Sequence, residues 1–198
     1  LVCSMTKKLF DISMDTFSIG FNEKKFDESY WFKLVSDYCG SKNKSMTLES
    51  DVISHWEKTT FYNDQPHGDI SFIPTYILSD FTSKDYKVVL TGDGGDEAFA
   101  GYEKYCNIPT GNYLKYFNSI SLIKDDKIFD DLYTGAFNEI VDFNEPFQIF
   151  NDSVNEVSNK DFINQILYFD MKHLLPGNNL VKPDKMAMAN SLETRSPM

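Results

Sequence analysis

Three cysteines stand in 198 residues, Cys3, Cys39 and Cys106, far apart and odd in number. No CxxC pair exists, which excludes a cysteine-built zinc site and a disulfide scaffold. The expected role of all three is that of small buried hydrophobes in a reducing cytoplasm. Basic residues are also scarce: 19 Lys and Arg face 30 Asp and Glu, for a net charge of -11. That balance argues against a non-specific nucleic-acid binder and against an anionic-membrane binder. It leaves room for a small anionic ligand, because one local site can oppose the global field. No apolar run approaches a membrane span, and the opening "LVCSMTKKLF" does not read as a signal peptide.

What is present is a core. The chain is 41% hydrophobic and 15% aromatic, which excludes disorder for most of its length. Leu1, Val2, Met5 and Leu9 fall near one face of an opening helix. In "MDTFSIGF", Phe17, Ile19 and Phe21 alternate with small residues, as in a strand. "FDESYWFKLVSDYCG" reads as a helix with a cap signal at Asp27, apolar positions Tyr30, Trp31, Leu34, Val35 and Tyr38, and a stop at Gly40. "KSMTLES" is a short strand, and "SDVISHWEKTTFY" a helix capped by Ser50. Pro74 opens the next helix, through Phe81, and "YKVVL" is a strand. Strands alternating with helices predict a parallel sheet flanked by helices.

The stretch from about Asn107 to Ser158 is acidic and aromatic, and is expected to form short helices and loops outside the sheet. If it packs on a further domain, Phe143, Phe147 and Phe150 should be partly exposed. A helix follows from Asp161 to Leu175, ended by Pro176-Gly177, and a last helix runs from near Pro183 to Leu192. The expected organisation is a nucleotide-binding α/β core over residues 1–106 and a mainly helical extension over 107–198 that returns Lys185 to the site. The abrupt start at Leu1 and end at "ETRSPM" suggest a piece of a longer protein.

The chemistry concentrates in "KVVLTGDGGDEAFAGY", Lys87 to Tyr102. Thr91 and Gly92 lie where a parallel strand ends, the edge at which open α/β sheets take ligands. Gly94 and Gly95 permit backbone angles that bring N–H groups to an anion. Asp96 and Glu97 fall in the first turn of a helix. One reading is purely structural: acids favour the helix dipole and glycines make turns. The other puts a cation between carboxylates and phosphate. Mg²⁺ takes one or two carboxylates plus phosphate oxygens, so Asp96 is a candidate ligand and Asp93 a candidate proton acceptor. The turn is neither a Walker A loop, since no Lys-Ser or Lys-Thr follows, nor an EF-hand. A second cluster, "NLVKPDKMAMANSLETRSP", carries Lys182, Lys185 and Arg195. Lys185 could reach a pyrophosphate; alternatively both lysines are solvated and Arg195 pairs with Glu193.

These two stretches resemble the synthetase domain of glutamine-dependent asparagine synthetases. "VVLTGDGGDEAFAGY" and "LVKPDKMAMANSLETRSPM" are similar to two of that family's blocks, and "TFSIGF", "FDES" and "DQPHGDISFIPTYILS" match in order. The resemblance implies an adenine nucleotide alpha hydrolase-like, PP-loop ATP pyrophosphatase fold with a helical C-terminal extension. It implies that ATP and Mg²⁺ adenylate the side-chain carboxylate of aspartate and that glutamine-derived ammonia forms asparagine. By matching position, Ile19, Thr91 and Gly92 would contact the nucleotide. Asp96 would hold magnesium-pyrophosphate, Asp93 would remove a proton, and Lys185 would stabilise the charged intermediate. A cytoplasmic enzyme is implied, and a homodimer is compatible with it.

The departures are specific. The family's SGGxDSS loop and its N-terminal glutaminase domain are absent from these residues, so the chain alone is expected to be inactive. Gln65 stands in "DQP" where relatives carry Glu. Two other readings stay open: an amidotransferase acting on a sugar acid or a β-lactam precursor, and a non-catalytic nucleotide-binding or interaction module.

Overall fold

The computed structural model describes residues 1–48, 52–66, 68–121, 132–141 and 144–197. Ser50 and Phe143, singled out above, lie outside the described residues. The elements begin with α1 (Val2–Phe10), β1 (Asp15–Phe21), α2 (Ser29–Cys39) and β2 (Lys42–Leu48). A 3-10 turn at Ile53–His55 leads into α3 (Trp56–Asn63), then α4 (Phe72–Ser83) and β3 (Val88–Leu90). The short helices α5 (Gly95–Phe99), α6 (Glu103–Cys106), α7 (Tyr113–Ile120) and α8 (Gly135–Asn138) follow. Next come α9 (Glu145–Glu156), α10 (Phe162–Phe169), a π-helical segment Asp170–Asn179, α11 (Val181–Met188) and β4 (Glu193–Arg195).

The chain forms two compact units: Leu1–Asp93 with Gly177–Met198, and Gly94–Pro176. The first is α/β. Strands β1 and β2 pair in parallel, Asp15 opposite Lys42 through Phe21 opposite Leu48. Strands β3 and β4 also pair in parallel, Val88 opposite Glu193 through Leu90 opposite Arg195. These are two separate two-stranded sheets. The parallel pairing expected from the strand–helix alternation is present. The final strand was not expected: Glu193–Arg195 continues past the last helix, which itself ends at Met188 and not Leu192. Its three residues carry no alternation to read, and long-range pairing with β3 creates it.

Local signals explain most boundaries. Gly40 ends α2 with φ 62°, a left-handed angle that glycine adopts without strain. Asp27 accepts from the backbone N–H groups of Phe21 and Ser29, each at 3.2 Å, and from Ser29 Oγ at 2.5 Å. The hydroxyl, then those N–H groups, hold its carboxyl below the ordinary value against the opposing effect of burial. Gly20 suits the place beside it, because a Cβ there would lie 3.0 Å from Asp27 Oδ1 and the carboxylate would have to give way. Helix α4 buries Phe72, Ile73 and Tyr76 against Met186 of α11. Each such side chain contributes about 1.5–3 kcal/mol on full burial. The apolar positions of α1 and α2 behave otherwise: Leu1, Met5, Leu9, Tyr30, Trp31, Leu34, Val35 and Tyr38 are exposed. Of the cysteines only Cys39 is buried; Cys3 is half-buried and Cys106 exposed, against the expectation for all three.

The second unit is helical and closes its own core. Tyr105, Tyr116, Phe150, Val154, Ile166, Leu167 and Phe169 form one buried cluster. Phe150 is 0% exposed and touches the rings of Phe117, Phe147 and Phe169. It is therefore a core residue, not an exposed aromatic awaiting another domain. Asp161 caps α10 by accepting from the Asn164 N–H at 3.0 Å. Pro176 does not end the helix that follows. The chain widens to π-helix and runs on to Asn179 with Pro176 inside it. In this wider turn each N–H bonds five residues back, so the proline ring avoids the four-residue carbonyl clash of an α-helix.

Candidate functional site

The glycine turn leaves β3 as its sequence requires. Thr91 donates its N–H to the Arg195 carbonyl at 2.9 Å, extending the β3–β4 ladder by one bond. Ser196 Oγ then hydrogen-bonds the Asp93 carbonyl. Gly94 caps α5 at φ 89°, which explains a glycine there, and Asp96 and Glu97 occupy the first helical turn. Ala100 takes a left-handed φ of 56° and Gly101 donates to the Asp96 carbonyl at 2.9 Å. A Cβ on Gly101 would lie 2.0 Å from Asp96 Oδ1. The glycine therefore leaves the space that the Asp96 carboxylate occupies.

The three carboxylates of the turn differ. Glu97 is buried and accepts from the Tyr102 hydroxyl at 2.8 Å. Burial, then that carboxylate, pushes the Tyr102 hydroxyl well above its ordinary pKa. Glu97 therefore has a structural role. Asp96 is exposed and Asp93 half-exposed, and neither carboxylate has a hydrogen-bond or ion-pair partner among the described residues. No group of three or more His, Cys, Asp or Glu side chains is placed to hold a metal ion among the described residues. The donors present thus do not form an all-protein cage. One or two free carboxylates fit the part that a protein supplies to Mg²⁺ when phosphate and water complete the shell.

Within the first unit, Thr91, Gly92 and Asp93 line a cavity of about 960 Å³ with Ser18 of β1 and Lys182 of α11. Lys182 is the residue that sequence reasoning undervalued. It is largely buried and donates to Asp69 Oδ2 at 3.0 Å and Ser71 Oγ at 2.7 Å. Burial raises the Asp69 carboxyl, but hydrogen bonds from the Ser71 side chain and N–H and from Lys182 outweigh it, holding that carboxyl below its ordinary value. The signal available was "DIS" ahead of α4, an acid and a hydroxyl that pre-form an acceptor pair.

Lys185 lies elsewhere. It donates to the Asn63 carbonyl at 3.0 Å and to the Asp64 carboxylate, and it is not a wall residue of the cavity. It therefore fastens the α3–α4 loop in which Gln65 sits exposed. Arg195 pairs with Glu193 at 2.7 Å on the surface, the bland alternative for that residue. Ile19 sits in β1 opposite Met46 and, like Lys185, does not line the cavity. Asp96 follows Asp93 along the chain by three residues but belongs to the second unit.

Residues 1–198 match the asparagine synthase family. The chain is 40% identical over 108 residues, 54% of its length, to a putative asparagine synthetase [glutamine-hydrolyzing] 2 of Methanocaldococcus jannaschii, and covers 21% of that protein. It is 27% identical over 96% of its length to asparagine synthetase [glutamine-hydrolyzing] 1 of Bacillus subtilis, of which it covers 35%. An amidase of Gibberella zeae, chry2, is 28% identical over 49% of the chain, which covers 15% of it. The chain thus spans at most about a third of these relatives. No helix among the described residues is long and apolar enough to cross a membrane. With its whole length inside the family match and its parallel strands in place, the chain belongs to the asparagine synthase family.

Proposed function

We propose that the chain is part of an ATP-dependent amidotransferase synthetase domain of PP-loop ATP pyrophosphatase type. In this reading aspartate's side-chain carboxylate is adenylated, pyrophosphate leaves, and glutamine-derived ammonia forms asparagine. The observation that carries the reading is the turn after β3, which presents Asp93 and Asp96 with no partner among the described residues while it commits Glu97 to structure. Left uncompensated, free carboxylates would repel a nucleotide; Mg²⁺, which takes one or two carboxylates plus phosphate oxygens, would remove that conflict. The metal would supply charge neutralisation at the phosphates. Asp96, whose carboxylate occupies the space left by Gly101, would hold it. Thr91 and Gly92 present backbone to the nucleotide, with Ile19 in the strand segment beside the base. Asp93, free at the turn, accepts a proton as the amide forms. Lys185 supplies positive charge to the leaving pyrophosphate, which requires it to exchange its Asp64 partner for the phosphate.

The test is aspartate-dependent ATP–pyrophosphate exchange with Mg²⁺ in the full-length protein. Asp96→Asn should lower the exchange by about 10²- to 10³-fold, the usual loss for one electrostatic stabiliser. Residues 1–198 alone should show none. Unchanged exchange in the variant would remove Asp96 from the site.

A second reading keeps the adenylation and changes the carboxylate. Gln65, exposed on the loop that Lys185 holds, favours it, because the family's usual residue there is an acid. Exchange driven by a sugar acid or a β-lactam precursor, and not by aspartate, would replace the first reading with this one.

A further inference from the structure

We infer that Asp64 is a built-in competitor for phosphate. Its carboxylate holds Lys185 when no phosphate is bound, yields the ammonium to pyrophosphate, and takes it back when pyrophosphate leaves. The inference rests on the reading of Lys185 given above and adds to it the residue that sets how tightly Lys185 holds an anion.

Asp64 is poorly suited to the place it fills. It is the C-cap of α3, at a left-handed φ of 65°, with its N–H on the Phe61 carbonyl. That angle favours glycine or asparagine. A carboxylate there also stands at the negative end of the helix dipole. Local structure therefore asks for a neutral residue, and what the charge does is meet Lys185. Stability does not explain the pair either. The Asp64 side chain is 78% exposed, and ion pairs so open to water contribute little to folding.

The two lysines of α11 show which counter-ion can be exchanged. Lys182 is paired with Asp69, and Asp69 is itself pinned by the Ser71 N–H at 2.9 Å. Lys185 is paired with Asp64, whose carboxylate has no second donor among the described residues. The other acceptor of Lys185 is the Asn63 carbonyl at 3.0 Å. That carbonyl is backbone at the last residue of α3, so it steadies the ammonium without neutralising it. The carboxylate can leave with no unpacking, and the flexible four-carbon stem lets the ammonium follow an incoming anion. Pyrophosphate carries more charge than one carboxylate and so displaces it. Asp64, tethered beside Lys185, recaptures the ammonium once the free anion has gone.

The experiment is calorimetric titration of the full-length protein with magnesium pyrophosphate. Wild type is compared with Asp64→Asn, Lys185→Ala and the double variant. Asparagine suits the left-handed angle, so the midpoint of denaturant unfolding should not fall in Asp64→Asn. That variant should bind pyrophosphate about 2- to 5-fold more tightly, the contribution of an exposed ion pair. Lys185→Ala should bind more weakly, and adding Asp64→Asn to it should change nothing further. Unchanged or weaker binding by Asp64→Asn, with Lys185→Ala weakened, would overturn the inference and leave the role of Lys185 standing. Tightening that survives in the double variant would also overturn it, since Asp64 would then repel the anion without acting through Lys185. Binding unaffected by Lys185→Ala would remove the reading of Lys185 and this inference with it. Asp64→Gly removes the charge without adding an amide and should tighten binding equally. Tightening by Asp64→Asn alone would trace the effect to the amide and overturn the inference.

Discussion

The two units solve the problem of a polar interior and an apolar surface in opposite ways. In the second, aromatic rings close over the buried carboxylate of Asp170. It accepts from Tyr105 at 2.5 Å and from Tyr116, and pairs with Lys104 at 2.7 Å. Each of these groups has its partner within the unit. In the first, two half-sheets leave apolar strand residues and the apolar positions of α1 and α2 in solvent. Both units keep apolar side chains in solvent, Phe99, Leu114 and Ile140 among them in the second; they differ in that, among the described residues, only the second gathers rings around a buried charge. The lesson is that a buried charge with every acceptor used marks where packing is closed, whereas exposed apolar residues in a parallel strand mark where it is open.

The contrast is open to experiment. The largest effect should come from Asp170→Ala, which leaves Lys104 and two tyrosine hydroxyls without their acceptor. A loss of about 3–5 kcal/mol is expected for the second unit, read by denaturant unfolding followed at peptides within 94–176. A loss below 1 kcal/mol would mean that the network is not what closes that core.

Alkaline pH probes the same network more gently. Burial, and then the Asp170 charge, pushes the Tyr105 and Tyr116 hydroxyls far above their ordinary value of 10.0. A raised folded-state pKa contributes stability that is complete below 10 and lost as pH rises above it. The second unit should therefore lose stability above about pH 10, faster in wild type than in Tyr105→Phe. Tyrosine absorbance should show these hydroxyls ionising with unfolding and not before it.

The smallest effect is expected at the open edge of the first unit. Leu90→Ser removes an apolar side chain that is already in solvent, so the stability of residues 1–198 should change by no more than about 0.5 kcal/mol. A loss above about 1 kcal/mol would mean that Leu90 packs within the unit and would blur the distinction between the two units.

Much of the first unit could be read without coordinates. Phe17, Ile19 and Phe21 alternate, Gly40 stops a helix at a positive φ, and Val88–Leu90 runs into a glycine turn. These are local signals, set by side-chain period and by what glycine permits. The chemical candidates were legible for the same reason. Asp93, Asp96 and Lys185 belong to short blocks whose residue types carry their meaning wherever they fold.

What the local pattern could not decide was partnership. The strand at Glu193–Arg195 exists because β3 offers it an edge, and no three-residue pattern encodes that. Phe150 reads like any aromatic in an acidic stretch, and only the convergence of α7, α9 and α10 makes it a core residue. Tyr30 and Trp31 read as a buried helix face, yet they are exposed. Lys182 and Lys185 look alike three residues apart. The fold gives one to Asp69 and Ser71 on a cavity wall and the other to Asp64 on a loop. Residue type and spacing act over a few ångströms along the chain and so determined most of the elements and which groups are candidates for chemistry. Which groups meet, and which apolar faces stay uncovered, depends on contacts between residues more than a hundred positions apart, and those only the tertiary structure decided.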